Sequence, residues 1–188
     1  YHAVDNAKEA YLTCNVLDLN RQKGVQAIEA NHGNKKNQNI YMDTCIMKTE
    51  LFISLVKEAK KLSSMYTLTD VINDKCETLD IRGVAHKGFF ASVTDFPSYY
   101  KANMDLLNYK AAQELFHEDW PIYTRTNDSC PTQYFDSAEV KNSVISNGCQ
   151  IEGTVENSVI GRACVIKKGA VVRNSVVLAE VTVGENVH

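Results

Sequence analysis

Toward the C-terminal end of the sequence the apolar residues keep a spacing that a helix does not explain. The phrase Val140-Lys-Asn-Ser-Val-Ile145 returns as Val155-Glu-Asn-Ser-Val-Ile160 and again as Val172-Arg-Asn-Ser-Val-Val177. Between the copies the apolar marks continue at Ile151, Ile166 and Val183, and the steps 145 to 151, 160 to 166, 166 to 172 and 177 to 183 are six residues each. At 100° per residue a six-residue step walks around a helix instead of marking one face, and Val, Ile and Thr favour strands. The spacing predicts a prism-shaped parallel β-helix, in which three short faces make a coil and coils stack at about 4.8 Å. Ile145, Ile151, Val155, Ile160, Ile166, Val172, Val177 and Val183 are its expected core, with Asn142, Asn157 and Asn174 at corners. The phrases recur at 15 and 17 residues, not 18, so some corners must be short. An antiparallel sandwich also suits alternating apolar residues, but it has no reason to reuse one phrase. In this register Ile160→Asp should unfold the coils, and Glu156→Lys should be nearly silent.

Upstream the pattern changes. Val16–Leu19 and Val25–Ile28 read as a hairpin with Gly24 in a turn needing positive φ. Residues 33–39 are polar and basic and read as an exposed loop, although Lys35 and Lys36 could meet a phosphate. Ile40–Met47 reads as a buried strand entering a helix near Thr49, a residue suited to capping. Leu51, Leu55, Ala59 and Leu62 then share one helical face. A short helix is expected over Leu68–Asn73 and strand character over Leu79–Ala91. Thr94-Asp-Phe-Pro97 has the chemistry of a helix start, so helices are expected over Ser98–Leu107 and Tyr109–Phe116. Strands with helices argue for the back part of an α/β domain. The boundary is placed at 125/126, within a stretch rich in turn residues, giving an α/β domain over 1–125 and the β-helix over 126–188.

Composition narrows the function. A net charge of −3 provides no basic field for nucleic acid or an acidic membrane. No apolar run approaches the ~20 residues of a membrane span. The six cysteines show no Cys-x-x-Cys spacing, so free thiols are expected, with Cys149 and Cys164 stacked in adjacent coils. Hexapeptide coils serve acyltransferases, one class of zinc hydratase, and as assembly domains on sugar-nucleotide enzymes. The first two need a histidine on the coils, and only His188 touches the repeat. The solenoid is therefore read as structural. The sequence opens without Met and stops in mid-pattern, which predicts a piece of a longer protein; with no signal peptide visible, a cytoplasmic one.

Three features together carry a family resemblance that covers nearly the whole chain: Tyr99-Tyr-Lys-Ala-Asn-Met-Asp-Leu106, the Asp119-Trp-Pro-Ile122 linker, and the Asn-Ser-Val-Ile coils. They resemble glucose-1-phosphate adenylyltransferase (ADP-glucose pyrophosphorylase), whose Rossmann-like nucleotidyltransferase domain precedes a left-handed β-helix of hexapeptide repeats. The resemblance implies the α/β class and a requirement for Mg²⁺ in catalytic members. It also implies specific lapses here. Catalytic members carry Glu-Lys-Pro where this chain has Glu29-Ala-Asn31, so Ala30 replaces the lysine that holds the sugar phosphate. Their Ser-Met-Gly sugar contact corresponds to Tyr41-Met42-Asp43. Their Arg-Asp-Val-Gly-Thr, whose Asp helps hold Mg²⁺, corresponds to Ala91–Asp95, with Ser92 at the ligand position.

With a lysine and a metal ligand gone, the chain resembles the noncatalytic, GlgD-type regulatory subunit of that family. The implied partner is a catalytic subunit in a mixed tetramer, and no cofactor is expected in this stretch. The alternatives are a competent sugar-1-phosphate nucleotidyltransferase of another specificity and, behind it, a hexapeptide acyltransferase.

Overall fold

The hairpin of the first unit forms around a side chain that the apolar pattern does not single out. In the computed structural model, which describes every residue except 124, 125 and 127, β2 (Asn15–Leu19) turns into β3 (Val25–Ala30). The Asn20 Oδ1 accepts from the backbone N–H of Gln22 (2.9 Å) and of Gly24 (2.8 Å). Positive φ falls on Lys23 (64°), not on Gly24 as the sequence suggests. Gly24 is needed for space instead, because a Cβ there would lie 2.7 Å from the Asn20 amide nitrogen.

With β1 (His2–Val4) and β4 (Gln38–Ile40) this hairpin makes an antiparallel sheet in the order β1-β4-β2-β3. The helices α1 (Thr49–Leu62) and α2 (Leu68–Asp74) follow in the chain. Leu17, Val25 and Ile28 of the sheet bury against Leu55, Ala59, Val71 and Ile72 of the helices. Each large aliphatic side chain so buried contributes about 1.5–3 kcal/mol. Three sequence expectations are corrected in and around α1. Thr49 is the first helical residue instead of the cap, and Lys48 before it makes no side-chain cap. Leu62, at the helix end, is 61% exposed. The strand at Ile40 stops there, since Asp43 enters the left-handed region (φ 47°) and redirects the chain, leaving Ile46 in solvent.

Residues 79–91 form no strand of the sheet; part of this stretch straps the sheet's end. Val25 N–H donates to Ile81 O (2.8 Å), Gly83 N–H to Lys23 O (2.8 Å) and His86 N–H to Tyr1 O (2.7 Å). The strap and the Asn73 side chain, whose Oδ1 takes the Ile28 N–H at 2.7 Å, occupy the outer edge of β3. That leaves fewer free donors to recruit another strand.

Residues Tyr1–Lys87 form one unit and Gly88–His188 the other. The second holds α3 (Phe96–Asp105), α4 (Tyr109–Leu115) and the solenoid. The solenoid strands are β5 (Gln133–Tyr134), β6 (Glu139–Lys141), β7 (Val144–Ile145), β8 (Gln150–Ile151), β9 (Thr154–Glu156), β10 (Val159–Ile160), β11 (Val165–Ile166), β12 (Val171–Arg173), β13 (Val176–Val177) and β14 (Thr182–Val183). They make three parallel sheets, β5-β8-β11-β14, β6-β9-β12 and β7-β10-β13, one per face. Ile151, Val155, Ile160 and Ile166 are fully buried, Val172 nearly so, and Ile145, Val177 and Val183 pack against them.

The repeated phrase is explained position by position. Asn142, Asn157 and Asn174 hold φ of 42°, 46° and 46°, a corner that Asn tolerates better than most residues. The following serines form a column: Ser143 Oγ accepts from Ser158 N–H (3.2 Å), and Ser158 Oγ accepts from Ser175 N–H (3.1 Å). Each hydroxyl donates to the carbonyl two residues back, so Ser158 is buried and satisfied. Cys149 and Cys164 are buried free thiols that donate to Gly161 O and Leu178 O in the next coil.

The coils measure 15 residues from Ser143 to Ser158 and 17 from Ser158 to Ser175. The saving is made at one corner, between Ile151 and Val155, where Gly153 lies under the longer corner Lys167–Ala170. A Cβ on Gly153 would lie 2.5 Å from Ala170 O and 2.8 Å from Lys167 O, so only glycine fits. α3 lies against this unit's β13, with the Tyr100 hydroxyl donating to Asn174 O at 2.7 Å.

Glu156 is not a bystander. It sits between Arg173 (Nε–Oε2, 2.7 Å) and Lys141 (3.9 Å) on the outer face of one sheet. The expected outcome of Glu156→Lys is therefore a loss of roughly 1 kcal/mol, from three stacked cations, and not silence. Ile160→Asp buries an unpaired carboxylate and should cost on the order of 4 kcal/mol or more. Thermal melts of the two variants beside the parent check both magnitudes; a parental melt for Ile160→Asp would overturn the inward register.

Candidate functional site

The sheet brings together part of the set that the sequence reading singles out. At one end of the hairpin Asn15 pairs with Ala30, and the Asn15 carbonyl accepts the Tyr41 N–H at 2.8 Å, so Ala30 and Tyr41 flank one residue of β2. Ala30 is exposed and uncharged at the end of β3, and Glu29 beside it is exposed as well. Tyr41 and Met42 are half-buried and Asp43 is exposed. Burial raises the Tyr41 phenol above its ordinary value, with Cys45 and Asp43 adding to the effect. The left-handed φ of Asp43 is the conformation that glycine adopts most readily.

Of these residues only Glu29 lines a cleft of about 370 Å³ over β1, β2 and the 35–39 stretch. Lys35 is the one cation lining it, opposed by Asp18 and Glu29. That charge balance is unsuited to a phosphate dianion.

Ser92, half-buried, belongs to the other unit. Asp95, three residues on, is the N-cap of α3: its Oδ1 accepts from Ser98 N–H at 2.7 Å, while Ser98 Oγ accepts from Asp95 N–H. These hydrogen bonds hold the Asp95 carboxyl below its ordinary value of 3.8. Among the described residues no three His, Cys, Asp or Glu side chains gather as a metal site. A hydroxyl and a carboxylate already spent on a helix cap do not fit a Mg²⁺ ion.

Sequence reasoning missed Asn31, which follows Ala30. It is 3% exposed. Its Nδ2 donates to Ala7 O (2.9 Å) and Tyr11 O (3.0 Å), its Oδ1 accepts from Gly33 N–H (3.0 Å), and its backbone N–H reaches Cys14 O (2.9 Å). One amide thus pins the 7–14 loop to the strand end. The available signal was an Asn directly after a strand and before a His-Gly turn, a position that favours side chain-to-backbone bonding.

Residues 131–188 match the family described as GlmU-like, C-terminal hexapeptide. A glycogen biosynthesis protein GlgD of Geobacillus stearothermophilus is 34% identical over 167 residues, covering 86% of this chain and 47% of the relative. The GlgD of Bacillus subtilis (strain 168) is 29% identical over 168 residues, 89% of this chain and 46% of the relative. A glucose-1-phosphate adenylyltransferase of Fervidobacterium nodosum is 34% identical over 134 residues, 71% of this chain and 32% of the relative. The chain belongs to the glucose-1-phosphate adenylyltransferase family. It spans about half the length of the GlgD relatives it matches. No described helix is long and apolar enough to cross a membrane.

Within this family member, Asn31→Ala should cost about 1–3 kcal/mol by orphaning buried backbone groups, with amide exchange accelerating first in residues 7–14; unchanged exchange there would contradict the pinning role. The Asp95 cap carries a pH signature. Because the carboxyl is depressed in the fold, its support is present above the ordinary carboxylate range and lost as pH falls through it. Circular dichroism of parent and Asp95→Asn should diverge less as pH drops below that range, and a constant difference would exclude the titration.

Proposed function

We propose that the chain is part of a regulatory, noncatalytic subunit of glucose-1-phosphate adenylyltransferase, the enzyme that makes ADP-glucose and pyrophosphate from ATP and glucose 1-phosphate for bacterial glycogen synthesis. The observation that carries this reading is Ala30. Where the family pattern has a lysine for the sugar phosphate, the exposed end of β3 presents a methyl group. A nucleotidyl transfer places negative charge on phosphoryl oxygens and depends on cations to neutralise it. With Ala30 and Ser92 at the two positions and Asp95 committed to its cap, this subunit does no such neutralisation and holds no Mg²⁺ of its own. The likeness to GlgD proteins supports the same assignment.

The subunit then acts by association. Its partner is a catalytic subunit, in a mixed tetramer of the cytoplasm, and the solenoid supplies much of the contact. Exposed apolar side chains on the solenoid, Tyr134, Val144 and Leu178 among them, suit burial against another chain. The consequence is a shift in the partner's affinity for substrate or in its response to metabolites, a coupling free energy between two chains.

The test uses the full-length subunit, alone and co-expressed with a catalytic subunit. Alone it should release pyrophosphate far below a kcat of ~1 s⁻¹; a rate at or above that sinks the noncatalytic reading. Together the two should co-elute at tetramer mass with displaced saturation curves. Separate elution and unchanged curves would remove the regulatory reading.

A further inference from the structure

One corner of the solenoid differs from its counterparts in a way that bears on covalent chemistry. Because Gln150 pairs with Val165 and Val165 with Thr182, the turns at 147–148, 162–163 and 179–180 occupy the same corner of successive coils. Gly148, Ala163 and Glu180 take its left-handed position, with φ of 81°, 55° and 64°. In the two later turns that residue's N–H is held by the preceding coil: Ala163 N–H donates to Asn147 O (3.2 Å) and Glu180 N–H to Arg162 O (2.8 Å). Beneath the first turn Thr132 Oγ1 instead donates to Ser146 O (2.6 Å) and accepts from Cys149 N–H (3.3 Å), bypassing Gly148. The Gly148 N–H has no hydrogen-bond partner among the described residues. Asn147 before it is exposed, and the two form the only Asn-Gly pair in the sequence.

We propose that Asn147–Gly148 is a site of covalent self-modification, at which Asn147 deamidates in the folded protein and leaves mainly isoaspartate in the corner between β7 and β8. A peptide nitrogen attacks the side-chain amide before it most readily when no acceptor holds its proton and no Cβ shields it, and Gly148 meets both conditions. The Gly148 nitrogen bonds to Asn147 Cγ, its proton leaves with the side-chain amide as ammonia, and a succinimide ring closes. Water then opens the ring. Attack at the main-chain carbonyl, the more electrophilic of the two, gives isoaspartate, and attack at Cγ gives aspartate. One water is consumed and one ammonia released, with no oxidant or cofactor. The Asn-Ser pairs at 157 and 174 lack these conditions, since the serine column holds the N–H of Ser158 and of Ser175 and each serine carries a Cβ. Isoaspartate adds one atom to the main chain, but in a corner outside β7 and β8, so the faces keep their pairing and the modified protein stays folded.

The test is to age the purified full-length subunit, still folded, in warm, mildly alkaline buffer and then map its peptides by mass. Asn147 should gain one mass unit several-fold faster than Asn142, Asn157 or Asn174, with isoaspartate outnumbering aspartate and the aged protein focusing at a more acidic point. An isoaspartyl methyltransferase supplied with S-adenosylmethionine should label that peptide. Most of the gain should be lost in G148A. Ala163 shows that the corner accepts alanine, and a Cβ on Gly148 would lie 3.4 Å from Ser129 Cβ, an ordinary contact. The proposal is overturned if Asn147 stays intact, if it changes no faster than the Asn-Ser positions, or if G148A ages as the parent does. Should G148A fail to fold, the comparison with the Asn-Ser positions in the parent decides alone.

Discussion

The constraint on which the second unit depends is vertical registry. A β-helix has no lateral sheet to fall back on, so each coil's N–H and C=O groups must meet those of the coils above and below. The pairing of Val144 with Val159 and Val176, and of Gln150 with Val165 and Thr182, holds every face to the same depth. Once depth is set, the inward residues must coincide, and Ile151 stacks on Ile166 as Ile160 stacks on Ile145. The serine column is the polar form of the same rule, since each hydroxyl completes the backbone pairing that a corner interrupts.

The first unit solves a different problem. Its sheet is small and one face is covered by two short helices, leaving its ends and edges to be managed by individual polar groups. Asn20, Asn31 and Asn73 each place a side-chain amide where the backbone would otherwise be short of a partner. The positions tied to sugar-phosphate chemistry in the family sit beside these anchors, at Ala30 and Tyr41.

Period and composition made the solenoid readable, because a face six residues long repeats a physical demand that few side chains meet. Helices α2 and α3 were readable for a related reason: Thr67 with Asp70 and Asp95 with Ser98 are local capping boxes, complete within four residues. What stayed hidden depends on distant partners. Nothing near Gly24 says that Asn20 will fill its space, nothing near residues 81–86 says that they cross the sheet's end and pair only in part, and Glu156 shows its role only beside Arg173. The anchoring role of Asn31 was not legible, since the carbonyls its Nδ2 reaches lie 20 or more residues earlier.

Unequal coils give the solenoid a kind of reading frame. Within a face, gaining or losing one residue turns every following aliphatic side chain outward, whereas a corner can absorb the change without disturbing the faces on either side. Gly153 lies in the shorter form of the corner, and the arch of Lys167–Ala170 above it is the longer form. Length differences among related chains should therefore collect at corners, in pairs of positions that face each other across adjacent coils. A glycine under an arch is the condition for such a step: the shorter corner tolerates no side chain while the arch above it stands.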